Sequence, residues 1–305
     1  MPEPLTSPPP PPSKGAVFLR RLGSFVVLWT VLIGALFSGH EALSDYVFLL
    51  IIVGLAVSGL LEFYGMARKL GYACYAKLGV GGGVLLILFT FACVSGRFVR
   101  PITPSRMNDR ETMFIILFVL GLCLRQFLSR RVATGIIAIS TTLFGLMYVP
   151  WLLNFIQKIN FFGQAGVEGP WYVLYFVLVT KFSDCGAYAV GSLIGRHKMI
   201  PRLSPGKTWE GFAGALLVST AASLIFARCA GLHLAGMTPR HSILLGLILG
   251  GGAVVGDLIE SLFKREAGLK DSGHLLPGIG GILDLLDSLL FNAPLMYLYL
   301  RHVLT

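Results

Sequence analysis

Between Gly256 and Ser288 the chain reads GDLIESLFKREAGLKDSGHLLPGIGGILDLLDS, setting Asp257, Glu260, Asp271, Asp284 and Asp287 beside Lys264, Arg265 and Lys270. Long apolar segments flank this stretch. An acid at the centre of a spanning helix costs about 2.5–3.5 kcal/mol on insertion scales, so acids kept where such segments end mark cation binding, proton movement or a charged substrate. Asp257, Glu260, Ser261 and Lys264 fall at i, i+3, i+4 and i+7, one face of a helix, and Asp284 and Asp287 repeat the i, i+3 spacing on the next. Pro277-Gly278-Ile279-Gly280-Gly281 lies between, a turn whose backbone N–H groups can approach a phosphate. Three carboxylates, Asp257, Asp284 and Asp287, with positions left for water, suit Mg²⁺. The competing reading is an interfacial ion-pair network, which has no need of the PGIGG turn.

Two further constellations lie upstream. In RLSPGKTWEG (202–211) Ser204-Pro205 is expected to open a turn, Thr208 to cap the next helix, and Lys207 to stand at that helix N-terminus, a ready anion site. A phosphate-binding P-loop is excluded, because Pro201 occupies the place of its upstream glycine and no strand is expected before it. A plain capped loop is the alternative. In TKFSDCGAYAVGSLIG, Lys181, Asp184 and Tyr188 at i, i+3 and i+7 share a face; a buried Lys181–Asp184 pair is the bland reading. No histidine has metal-ligand spacing to another, and five scattered cysteines without CxxC spacing argue against a zinc site.

The elements that must position these groups follow from composition. Of 305 residues, 55% are hydrophobic and 13% charged, with mean hydropathy +0.76; soluble domains carry about 25% charged residues. The expected fold is an all-α polytopic integral membrane protein with about nine transmembrane helices, near 22–40, 45–66, 77–96, 112–129, 132–152, 171–195, 211–231, 241–260 and 285–304. Residues 1–19 form a Pro-rich tail expected to be disordered, 20–170 the N-terminal transmembrane helices, and 171–305 the catalytic transmembrane region, with the site at the cytoplasmic ends of its helices. No repeat of fixed period and no inverted symmetry is evident. The net charge of +10 does not indicate nucleic acid: the basic residues alternate between loops as the positive-inside rule requires, placing the N-terminus in the cytoplasm and the C-terminus outside. Arg97, Arg100, Arg106 and Arg110 break that alternation, and Lys158 is expected in an outer loop. Glu62, the one acid within the first-half spans, either pairs with Arg68 or Lys69 or partners the site.

SLFKREAGLKDSGHLLPGIGGILDLLD resembles the signature of the phosphatidate cytidylyltransferase (CDP-diacylglycerol synthase) family. That pattern runs Ser, two spacers, Lys-Arg, four spacers, Lys-Asp, then Pro-Gly-His-Gly-Gly, then Asp-Arg and a further Asp. Ser261, Lys264, Arg265, Lys270, Asp271, Pro277, Gly278, Gly280, Gly281, Asp284 and Asp287 match; Ile279 and Leu285 stand where the family usually has His and Arg. SDCGAYAVG and LSPGKTWEG are similar to its other motifs, and the likeness is clear over about 180–290. It implies transfer of CMP from CTP to phosphatidic acid, giving CDP-diacylglycerol and pyrophosphate, with Mg²⁺ and a second cation such as K⁺. Asp257, Asp284 and Asp287 would hold metal. Lys264, Arg265, Lys270 and Asp271 would be catalytic, with the Lys and Arg side chains on phosphate oxygens. Asp184, Ser204, Lys207, Thr208, Glu210, Ser261, Gly280 and Gly281 would contact substrate. A homodimer is implied with them, and the compact chain without an organelle-targeting tail is expected in the cytoplasmic membrane of a bacterium. Two other classes stay open: a CTP-dependent transferase or kinase acting on a polyprenol or ether lipid, separated by product identity, and a secondary transporter, which should carry mid-membrane charges in matched halves.

Overall fold

A computed structural model of the protein describes residues 14–97, 104–129, 134–162, 167–234, 236–269, 272–273 and 280–304. In lipid every backbone polar group must be satisfied internally, which leaves apolar segments of this length only the helix or the closed barrel. The described chain is accordingly helical: α1 Lys14–Phe37, α2 Glu41–Lys69, α3 Ala76–Val94, α4 Pro104–Phe127, α5 Gly135–Leu146, α6 Leu152–Asn160, α7 Gly169–Ile194, α8 Trp209–Ala230, α9 Pro239–Glu266 and α10 Ile282–Tyr299. One short hairpin, β1 Lys198–Ile200 and β2 Ser204–Thr208, joins α7 to α8. Of the expected Pro-rich tail, residues 1–13 lie outside the described residues, whereas 14–19 already belong to α1: beyond Pro12 the sequence KGAVFLRRL has no proline and several good helix formers.

Among the described residues seven helices are long and apolar enough to cross a membrane: Glu41–Lys69, Ala76–Val94, Gly135–Asn160, Gly169–Ile194, Trp209–His233, Pro239–Glu266 and Ile282–Leu304. The protein is a multi-pass membrane protein. The first expected span lies within the helix α1, whose stretch Val26–Phe37 is apolar. The fourth is helical but falls short of that standard, because α4 carries Arg106, Asp109, Arg110 and Glu111 in its first turns and Arg125 in its last. The fifth span, expected to stop at 152, continues to Asn160. Pro150 cannot donate a backbone hydrogen bond, and the ladder passes it through a π-helical turn, Met147–Trp151, without ending.

That extension moves Lys158 from an expected outer loop into the core. Its ammonium pairs with Glu111, both side chains under 5% exposed. Thr90 donates to Glu111 (3.2 Å), Asn154 to Thr90 (2.9 Å) and Gln157 to Asn154 (2.9 Å), while the ammonium also faces the rings of Phe155 and Tyr297. A buried charge persists only when paired and hydrogen-bonded, and four helices supply the partners here.

Helices α7, α8, α9 and α10 pack in sequence, and α10 also lies against α2 and α6, so both halves of the chain share one core. Small residues set the spacing, as expected where lipid provides no hydrophobic drive between helices. At Gly256 a Cβ would lie 2.6 Å from the Asp287 carbonyl oxygen and 3.0 Å from the Phe291 Cβ. The absence of a side chain there is what brings α9 and α10 close at the level of Asp257 and Asp287. Gly256→Ala should therefore force the two backbones apart and cost about 1–3 kcal/mol, measurable by reversible unfolding in micelles. Gly251→Ala, whose Cβ would meet only Leu216 at 3.9 Å, is the control expected to change little.

Candidate active site

The segment between α7 and α8, which by sequence is a loop with a turn, is shaped by the fold into a hairpin. The Ser204-Pro205 turn is not where the chain reverses. Leu203 N–H donates to Ile200 C=O (3.1 Å), and Ser204–Thr208 runs back as β2, with Lys198 opposite Thr208 and Ile200 opposite Ser204. A strand thus precedes the Lys207-Thr208 pair, contrary to expectation, but it is one arm of an antiparallel hairpin and not the lead-in to a phosphate loop. Thr208 caps α8 as expected, its hydroxyl accepting from Gly211 N–H (3.1 Å). Glu210, in the first turn, accepts from the backbone N–H groups of Arg196 and His197 (3.2 Å each) and bonds His197 Nδ1. Its carboxylate secures the base of the hairpin.

The hairpin swings Lys207 over α9. Its ammonium lies 2.8 Å from Asp257 Oδ2 and donates to Val254 C=O (3.1 Å). On the facing helix Lys181 donates to Leu285 C=O (2.9 Å) and Ser288 Oγ (3.1 Å), with Asp184 at 3.5 Å. Ser261 Oγ donates to Asp257 Oδ1 (3.3 Å). Asp184, Ser204, Lys207, Thr208, Asp257, Asp284 and Asp287 all line one cavity of about 440 Å³, together with Lys181 and Tyr188. The face expected from the 181–184–188 spacing is real, and Tyr188 is its exposed outer end.

The acids in and behind the cavity divide into two sets. One oxygen each from Asp257, Glu260 and Asp287 lies within 4.8 Å of the others, close to the roughly 4 Å that separates trans ligands of an octahedral ion held at about 2.1 Å. Glu260 is 1% exposed. Its ion-pair partner is Lys264, and neither oxygen accepts a well-aligned hydrogen bond from the described residues. A buried carboxylate with acceptor capacity left over fits a cation, so the donor set is compatible with Mg²⁺. Asp284 is engaged differently: Oδ1 faces Lys264 (2.6 Å), and Oδ2 accepts from Ser272 N–H (3.0 Å), Ser272 Oγ (2.9 Å) and Gly281 N–H (2.7 Å). Asp257 and Asp284 thus share a cavity, but the close-set trio has Glu260 in place of Asp284. The signal for Glu260 was present in sequence, at i+3 from Asp257 and i−4 from Lys264 on one face.

Several expected site residues sit behind this front. Lys264 bridges Glu260 and Asp284. Arg265 donates to Leu203 C=O (3.1 Å), tying the hairpin to the end of α9. Gly281 N–H is spent on Asp284, and Gly280, at φ +113°, holds a conformation that favours glycine. Lys270, Asp271, Pro277, Gly278 and Ile279 lie outside the described residues. Of the two readings of Glu62, the structure shows the second: its carboxylate accepts from Ser272 Oγ, Ile282 N–H and Leu283 N–H, each 2.9 Å, while Arg68 donates to Tyr64 C=O.

Comparison with known proteins gives the chain its relatives. The family model described as "Cytidylyltransferase family" matches residues 19–303. The chain is 38% identical over 161 residues to "Uncharacterized protein YnbB" of Escherichia coli (strain K12), covering 53% of this chain and 51% of that protein. It is 40% identical over 154 residues to a phosphatidate cytidylyltransferase of Mycobacterium leprae (strain TN), covering 50% and 47%. A phosphatidate cytidylyltransferase of Staphylococcus aureus (strain COL) is 45% identical over 142 residues, covering 46% and 53%. The chain spans about half the length of the curated relatives it matches.

Lys264 and Lys207 face acids that differ in burial, Glu260 and Asp284 at 1% and 11% exposed against Asp257 at 39%, and this sets the energetic weight of each lysine. Lys264→Met should destabilise the protein by about 3–5 kcal/mol, because it strands two carboxylates in a buried site. Lys207→Met should cost no more than about 1 kcal/mol, because Asp257 is 39% exposed and water can replace the ammonium. Reversible unfolding of both variants in micelles checks the contrast.

Proposed function

The chain belongs to the cytidylyltransferase family, and we propose that it is a CTP:phosphatidate cytidylyltransferase, forming CDP-diacylglycerol and pyrophosphate in the cytoplasmic membrane. The observation that carries this reading is the gathering of Asp257, Glu260 and Asp287, the first and last of which line one cavity with Lys181 and Lys207, where the middle of α7 meets the C-terminal part of α9 and the start of α10. By formal charge, four carboxylates lining the cavity (Asp184, Asp257, Asp284, Asp287) face two ammonium groups (Lys181, Lys207), while Glu260 and Lys264 pair behind them. The excess is two negative charges, the complement of one divalent cation.

In this reading a phosphate oxygen of phosphatidate attacks the α-phosphorus of CTP, the bond from that phosphorus to the bridging oxygen breaks, and pyrophosphate leaves with the electron pair. The lipid phosphate is ionised already, so no side chain need activate it. Catalysis is positioning and charge neutralisation. Lys181 and Lys207, held by backbone carbonyls at the cavity wall, present ammonium groups to phosphate oxygens. Asp257, Glu260 and Asp287 would hold Mg²⁺. When bound, that ion neutralises charge on the transferring phosphoryl group. Asp284 orients Lys264 and the glycine turn, and Asp184 orients Lys181. The α9–α10 junction and the hairpin face the cytoplasm, the N-terminus lies on the same side and the C-terminus opposite, in accord with the distribution of basic residues. The resemblance adds a second cation such as K⁺ and a homodimer to the proposal.

Membranes containing the protein, supplied with phosphatidic acid, labelled CTP and Mg²⁺, should yield labelled CDP-lipid, and a chelator should abolish it. Asp257→Asn and Asp287→Asn should each lower kcat about 100-fold or more. No product from the wild-type protein rejects the assignment, and product with a polyprenyl phosphate alone would reassign the substrate.

A further inference from the structure

We propose that Glu62, on α2 in the first half of the chain, is a positioning residue for the site, acting through Ser272, Asp284 and Lys264. This inference rests on the functional reading above for its catalytic consequence, but not for its geometry. One Glu62 oxygen accepts from Ile282 N–H and the other from Leu283 N–H and Ser272 Oγ, all at 2.9 Å. Ser272 in turn donates its N–H to Asp284 Oδ2, which also lies 2.9 Å from the hydroxyl, so that the two acids share its single proton, and Asp284 Oδ1 meets Lys264, whose ammonium pairs with Glu260 of the close-set acid trio. A continuous run of charge-assisted contacts thus joins α2 to the proposed cation site.

The glycines of the segment are cut to this carboxylate. A Cβ at Gly273 would have its three nearest neighbours in the Glu62 side chain, the closest 2.4 Å away. A Cβ at Gly281 would lie 2.1 Å from Ser272 Oγ and 2.5 Å from Glu62 Oε2. Neither glycine has a positive φ, so what demands glycine is space for the acid and not backbone conformation. The first N–H groups of α10, which a phosphate would otherwise find free, are already taken by two carboxylates. Substrate phosphate is thereby left to the lysines, and the function of this helix start is to hold Asp284 still. A partner that orients a ligand shell through hydrogen bonds carries about 10–100-fold in metal affinity or activity.

The test uses the full-length protein in detergent, with Glu62→Gln as the shape-preserving variant and Glu62→Ala beside it. Three quantities are read: amide hydrogen exchange, Mn²⁺ affinity by electron paramagnetic resonance, and the kinetics of CDP-lipid formation. Glu62→Gln should speed exchange in 280–285 alone, weaken Mn²⁺ binding about 10-fold, and lower kcat 10–100-fold with the KM for CTP changed less than roughly threefold. Gly273→Ala should reproduce these losses in the wild-type background and add little in Glu62→Ala, where its methyl group has room. Unchanged exchange and Mn²⁺ affinity in both Glu62 variants overturn the proposal, and so does loss of protection throughout the protein in Glu62→Gln. Higher activity or new inorganic phosphate binding in Glu62→Ala would show the acid to be an inhibitor of the site, again overturning it. If the wild-type protein forms no CDP-lipid, the functional reading falls, while the exchange and Mn²⁺ results still decide the role of Glu62.

Discussion

The Lys264 ammonium between Glu260 and Asp284 is the contact on which the rest of the site depends. All three groups are largely withdrawn from water, and desolvating charges is costly unless their geometry returns the loss. One cation shared by two acids achieves this, and it also locks α9 to α10 at fixed rotation. With that rotation set, Asp257 and Glu260 on one helix and Asp287 on the other converge instead of pointing apart.

Such convergence requires backbones closer than ordinary side chains permit. Gly256 against the Asp287 carbonyl, and Gly186 against that of Gly214, are among the places where α9 meets α10 and α7 meets α8 without a Cβ between them. In lipid, where apolar surface gains nothing by leaving solvent, close packing and interhelical hydrogen bonds must do this work. Asn292 illustrates the second, donating to Thr180 Oγ1 and to Leu249 C=O and so joining three helices in the interior.

A half-buried polar system at the start of α10 and a buried one near its end tie the halves of the chain together. At its start Glu62 holds the first backbone amides. Some 20 Å further along, at 1.5 Å per residue, Tyr297 lies beside the Lys158–Glu111 pair. Each system places an acid of the first half against groups of another helix. The first half is therefore a frame that fixes where α10 stands, and not merely an anchor in the membrane.

The sequence by itself determined the helical membrane class, the helix-forming segments, the cap at Thr208 and the concentration of reactive groups in 181–288. These follow from local rules: hydropathy over about 20 residues, i, i+3 and i+4 spacing, and the chemistry of caps. Only the tertiary structure decided which partner each charge takes. Asp257 could meet Lys207 because a hairpin, invisible as periodicity in so short a segment, folds back over α9. Glu62 ignored the nearby Arg68 and Lys69 for amides 220 residues away, and Lys158 entered the core because Glu111 waited there. A spacing rule reads one helix at a time, whereas the partner of a buried charge is chosen by whichever helix packs against it.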